Sequence, residues 1–187
     1  MSVRKLVTLT PSDTDWPVRL TERLGKTAPP ALQVIGPVGL LVGHKTAIFC
    51  SASAPGDAIL RAHDTARRLR DDGVTVISGF HSLIEKDCLR ILLRGKQPII
   101  ICPARAMARM RIPTECRAAF ESGRILFLSP FSEAPRRITR DSALRRNEVV
   151  AALADEVYIP HITPGGQTAH LVEMLNRWKV PVISVRD

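Results

Sequence analysis

Two short stretches carry the groups best suited to hold an anion: Ser78-Gly79-Phe80-His81-Ser82 and Cys50-Ser51-Ala52-Ser53-Ala54-Pro55-Gly56. Two more share their character, Ser129 to Pro135 and His161 to Thr168, the last holding Pro164-Gly165-Gly166-Gln167-Thr168. Small residues let backbone N–H groups approach a phosphate, and a helix starting just beyond adds a favourable dipole. The candidate anion contacts are therefore Ser51, Ser53, Ser78, Gly79, His81, Gly165, Gly166 and Thr168. Phe80 and Phe131 sit in two of these turns, where a ring either stacks on a base or anchors the loop. Arg145, Arg146 and Asn147 put guanidinium and amide groups together as a phosphate clamp, their alternative being surface charge. Arg105 and Arg109, with Arg111, extend a basic track.

Other chemistries fit less well. Neither the dinucleotide fingerprint GxGxxG nor the P-loop GxxxxGK[ST] is present, which disfavours an ordinary dehydrogenase or ATPase. Five histidines (His44, His63, His81, His161 and His170) show no metal-ligand spacing. No cofactor is expected. Hydrolysis needs a placed carboxylate, and Glu133 and Glu173 are the obvious ones near the turns. No Ser-His-Asp arrangement follows from the spacing. Whether the chain is an enzyme stays open at this level.

Charge points to the partner. The 187 residues carry 27 Lys and Arg against 18 Asp and Glu, a net +9 and a pI near 10.1. Much of the excess lies in residues 105–111, 136–140 and 145–146. Such a domain meets a polyanion, most often nucleic acid. The longest apolar runs are too short to span a bilayer, and the N-terminus lacks the apolar segment of a signal peptide. The default location is the cytoplasm. The separated cysteines, Cys50, Cys88, Cys102 and Cys116, read as free thiols.

The elements that must position these groups alternate. Strands are expected at 45–50, 74–79, 97–104, 124–131, 155–162 and 180–185. Helices are expected at 58–72, 82–95, 114–123, 142–154 and 166–179. Ser82 and Glu85 form a capping-box pattern, Thr114 is a candidate N-cap, and Gly73 and Gly95 are helix stops. The strands are short and aliphatic without in–out alternation, as in a parallel sheet covered on both faces. The fold class is α/β, a Rossmann-like three-layer sandwich with a mostly parallel central sheet. Residues 1–44, rich in Pro, Gly and Thr, read as an N-terminal extension packing on a 45–187 core, with one short helix after Pro17. In such sheets ligands sit beyond the carboxyl ends of the strands, where the four turns fall.

Taken together, the motifs resemble the Rossmann-like domain of the DNA-processing protein A family, also called Smf, from about Trp16 to Val185. Trp16-Pro17 with Leu20 resembles its Tyr-Pro-x-x-Leu entry. Ser78-Gly79 with Glu85 resembles its Ser-Gly-x-x-x-Gly-Ile-Asp turn, and Ser129 to Glu133 its Ser-Glu segment. Arg146-Asn147-Glu148-Val149-Val150-Ala151 is similar to Arg-Asn-Arg-Ile-Ile-Ala, and Thr168-Ala169 ends a segment matching Ser-Gly-Ser-Leu-Ile-Thr-Ala. The family's first turn, Gly-Ser-Arg, here reads Cys50-Ser51-Ala52, and Leu83 and Glu148 stand at its glycine and basic positions. The winged-helix and helical domains that often flank this domain are not expected in the chain.

The resemblance implies single-stranded DNA binding, a recombinase as partner, a role in recombination or DNA uptake, and a homodimer. Pro164-Gly165-Gly166 suggests a second kinship, with the cytokinin-activating phosphoribohydrolases. Nucleotide binding or N-glycosidic hydrolysis is therefore the alternative.

Overall fold

The computed structural model describes residues 5–51, 54–133, 137–162 and 166–183. Eight strands form one sheet: β1 (Leu6–Leu9), β2 (Leu32–Ile35), β3 (Lys45–Ile48), β4 (Thr75–Ser78), β5 (Ile99–Ile101), β6 (Ile125–Ser129), β7 (Glu156–Tyr158) and β8 (Val182–Ile183). Their spatial order is β1-β2-β6-β5-β4-β3-β7-β8. From β6 to β8 every pairing is parallel, while β1–β2 and β2–β6 are antiparallel. The helices are α1 (Val18–Leu24), α2 (Gly56–Asp71), α3 (Leu83–Leu93), α4 (Arg117–Glu121), α5 (Arg140–Leu153) and α6 (Gln167–Arg177).

Successive strand residues feed opposite layers, as the two-residue side-chain period requires. Ala47, Ile77, Ile100, Leu126 and Val157 join α1, α5 and α6 in one core. Ile48, Val76, Ile99, Ile125 and Tyr158 join α2, α3 and α4 in the other. With a helical layer on each face, neither side of the strands needs polar residues, which explains their unbroken aliphatic runs. All four cysteines are buried free thiols.

The first 44 residues contribute more than the sequence suggests. They hold two strands of the same sheet, and α1 packs on α5 from outside. Both strands are four-residue runs among turn residues, too short for a clear period. Gly36 closes β2 at φ +119°, where an added Cβ would lie 2.5 Å from the Ile125 carbonyl oxygen. Only glycine fits that crossing. Thr114 does not cap α4: Pro113 starts a 3-10 turn over Thr114–Cys116, and no side chain there bonds the backbone. A proline's fixed φ supplies the start without a cap.

Candidate nucleic-acid interface

The turn after β4 is built by a serine. Ser78 is fully buried, and its hydroxyl donates to the Ile48 carbonyl at 2.7 Å and accepts from the Phe80 N–H at 3.3 Å. The bond draws the chain back at Phe80, which takes φ 47°, an uncommon value for a side-chain-bearing residue. Its side chain, 5% exposed, packs in the α2–α3 core. Phe80 therefore anchors the loop.

Beyond it the capping box forms. Ser82 Oγ accepts from the Glu85 N–H at 3.2 Å. The buried Glu85 carboxylate accepts from the N–H groups of His81 at 2.8 Å, Ser82 at 3.4 Å and, across the crevice, Cys50 at 3.1 Å. One carboxylate thus ties the turn after β3 to the turn after β4, while the His81 side chain is exposed.

A cation meets the same turn from the opposite layer. Arg146 on α5 is 4% exposed, donating from Nη1 to the Cys102 carbonyl at 3.0 Å and from Nε to Asn147 Oδ1 at 2.7 Å. A Cβ on Gly79 would fall 1.5 Å from Nη1 and 2.0 Å from Cζ, so glycine makes room for the guanidinium. Nη2 has no acceptor and Arg146 no ion pair among the described residues. Burial pushes the neighbouring Cys102 thiol up to about 12 despite the Arg146 charge. Arg145, one residue earlier, points about 100° away around the helix. It pairs with Glu148 at 3.0 Å and donates to the Thr27 carbonyl, joining α5 to the segment after α1. Arg145 and Arg146 thus do not form one clamp.

The loops after β5 and β6 repeat the serine device. Ser129, the last residue of β6, donates to the Arg105 carbonyl at 2.8 Å and accepts from the Phe131 N–H at 3.1 Å. The bridge here is an amide from β2: Gln33 accepts from the Met107 N–H at 3.0 Å and donates to the Ser132 carbonyl at 2.8 Å. Between these loops opens a cleft of about 500 Å³ lined by Arg105, Ala106, Ala108, Arg109, Met110 and Ser132, with Glu133. Arg105 and Arg109 are exposed and take part in no ion pair among the described residues. Arg111, Arg137 and Arg140 share that condition.

Ser51 follows β3, and Gly166 stands before α6 with its carbonyl accepting from the Ala169 and His170 N–H groups. Thr168 lies half-buried in the first turn of that helix. Ser53 and Gly165 lie outside the described residues. Glu173 is exposed and sits 3.9 Å from His170 on its own helix. The turns after β6 and β7 stand four strand spacings apart, about 19 Å at roughly 4.8 Å each. They line an edge rather than enclose a point. Sequence reasoning missed Gln33, a lone polar residue in Leu-Gln-Val-Ile, and the repeat Ser78-Gly-Phe80 and Ser129-Pro-Phe131 that marks both turns.

The family model for DNA recombination-mediator protein A matches residues 7–174. The chain belongs to this family. No curated protein sequence matches it. Among solved structures, DNA processing protein A from Streptococcus pneumoniae superposes with a TM-score of 0.76 at 18% identity, covering 100% of this chain and 66% of that one. DNA processing protein A from Helicobacter pylori, described for its single-stranded DNA binding mode, gives 0.73 at 21% identity over 97% and 80%. The chain therefore shares their fold and spans just under two thirds of the pneumococcal protein. The mixed, largely parallel sheet between helical layers is the architecture of that family. No helix among the described residues is long and apolar enough to cross a membrane.

Proposed function

We propose that this chain binds single-stranded DNA along the carboxyl edge of its sheet. The observation that carries the reading is the set of exposed arginines without ion pairs on the loops after β5 and β6 and at the start of α5: Arg105, Arg109, Arg111, Arg137 and Arg140. Elsewhere Arg61 pairs with Asp57, Arg67 with Asp64, Arg70 with Asp71 and Arg90 with Asp87. The exposed Arg68, Arg94, Arg117 and Arg177, also without ion pairs among the described residues, are scattered over four helical segments rather than gathered at one edge. A polyanion gains most where cations lack such partners. The family and the described binding mode of the Helicobacter protein support the single strand as that polyanion.

In this reading phosphates contact Arg105, Arg109 and Arg140, and a nucleotide unit settles in the 500 Å³ cleft against Met110. Arg146 supplies a fixed charge behind the turn at Gly79. The bound strand is then passed to a recombinase, with two copies of the chain acting together in recombination or DNA uptake. Fluorescence anisotropy with labelled single- and double-stranded oligonucleotides over a salt series tests the binding. Salt-steep binding that prefers the single strand and weakens in Arg105→Ala/Arg109→Ala is expected. Binding indifferent to strand form and to these arginines would sink it.

A further inference from the structure

Backbone N–H groups at βα turns normally stand ready for a phosphate. In this chain three of them, on Cys50, His81 and Ser82, already bond the Glu85 carboxylate. We infer that Glu85 is a built-in anion that closes the turns after β3 and β4 to phosphate and so sets which ligands the edge accepts. The Glu85 carboxylate is buried, sits in the first turn of α3 and is held from two separate loops. A free phosphate entering there would have to displace it and would meet its negative charge.

The opposite face of the same turn carries the buried Arg146, whose Nη2 has no acceptor among the described residues. The 79–82 turn thus separates an anion on the α3 side from a cation on the α5 side. Phosphate is refused on the first side and drawn to the second, towards β5, β6 and the exposed arginines. A ligand with a single phosphate loses its only anchor, whereas a strand keeps its hold further along. Glu85 is therefore a specificity-determining residue that favours a polymer over a mononucleotide. The steering of DNA rests on the single-stranded DNA reading; the closure of the turns does not.

The test compares inorganic phosphate with chloride at matched ionic strength, following thermal unfolding of wild type and Glu85→Ala. Phosphate filling the vacated turns should raise the variant's midpoint over chloride by roughly 5 °C more than it raises that of wild type, since the other arginines bind phosphate equally in both proteins. An equal response in both proteins would overturn the inference. Should the variant fail to fold, wild type decides alone, through amide chemical shifts during titration with deoxyadenosine monophosphate. Unmoved Cys50, His81 and Ser82 amides support closure, and saturable shifts at these amides refute it. Absence of DNA binding would end the functional reading but leave the phosphate result standing.

Discussion

The turns after β4 and β6 are built alike and charged differently. Each strand ends in a buried serine whose hydroxyl bonds a carbonyl on the neighbouring chain segment and the N–H of a phenylalanine two residues on. Each turn is then braced by one buried side chain, Glu85 in the first and Gln33 in the second. The carboxylate consumes N–H donors and adds negative charge. The amide uses one donor and one acceptor and adds none, leaving Arg105 and Arg109 as the dominant field in their cleft. One scaffold thus yields a closed turn and an open one, and the bracing residue decides which.

The sharpest challenge to this comparison is Gly79→Ala. Its Cβ would overlap the Arg146 guanidinium, which two hydrogen bonds hold in place. Forcing the two apart should cost about 1–3 kcal/mol, with occasional larger values for overpacking. Unfolding in denaturant measures the loss, and DNA affinity should fall, as it should in Arg146→Ala. Full stability would mean that the guanidinium is not confined as described.

Gln33→Glu transplants the charge of the first turn into the second. The carboxylate cannot donate to the Ser132 carbonyl, so about 1–3 kcal/mol of stability should go. DNA affinity should drop several-fold, more steeply at low salt, when followed by anisotropy. Unchanged affinity would show that the bracing residue does not set the field.

A smaller effect separates the arginine populations. Arg105→Ala and Arg109→Ala should each flatten the slope of log affinity against log salt by roughly 0.7 for every phosphate left without its cation. Arg67→Ala, which removes a cation already paired with Asp64, should leave that slope alone. Similar slopes for all three would make net charge, rather than unpaired charge, the governing quantity.

The smallest effect lies at the amino edge of the sheet, where no DNA contact is proposed. Asp155 is partly buried, which alone would raise its pKa. The hydrogen bond from Arg19, the Lys45 N–H at 2.9 Å and both positive charges outweigh burial and hold the carboxyl below its usual 3.8. The native state then binds fewer protons than the unfolded chain between the two values, so stability falls as pH drops through that window. Acid unfolding of Asp155→Asn should be flatter below about pH 4 than that of wild type. DNA binding at neutral pH should not change.

Much of this was legible in one dimension. Short aliphatic runs without alternation announced a parallel sheet covered on both faces, because such strands have no wet side. Ser82 and Glu85 announced the start of α3, since a capping box is a local bargain between residues three apart. Gly73 marked a helix stop, and its φ of +73° is the reason. The family was legible from Arg146 to Ala151 and the Ser78-Gly79 turn. Less visible were β1 and β2, whose four-residue runs acquire meaning only through pairing with β6.

The sequence alone therefore determined the class of fold, the basic character of the chain and the segments that line the carboxyl edge, because each rests on local pattern or composition. Tertiary structure decided which charges remain available there. Arg145 and Arg146 are neighbours in the chain, yet helical geometry sends one to Glu148 and Thr27 and buries the other behind Gly79. Glu85 reads as a cap, but its bond to the Cys50 N–H, 35 residues away, makes it a lock between two turns. Such roles depend on contacts between distant segments, and a linear reading carries no distances between them.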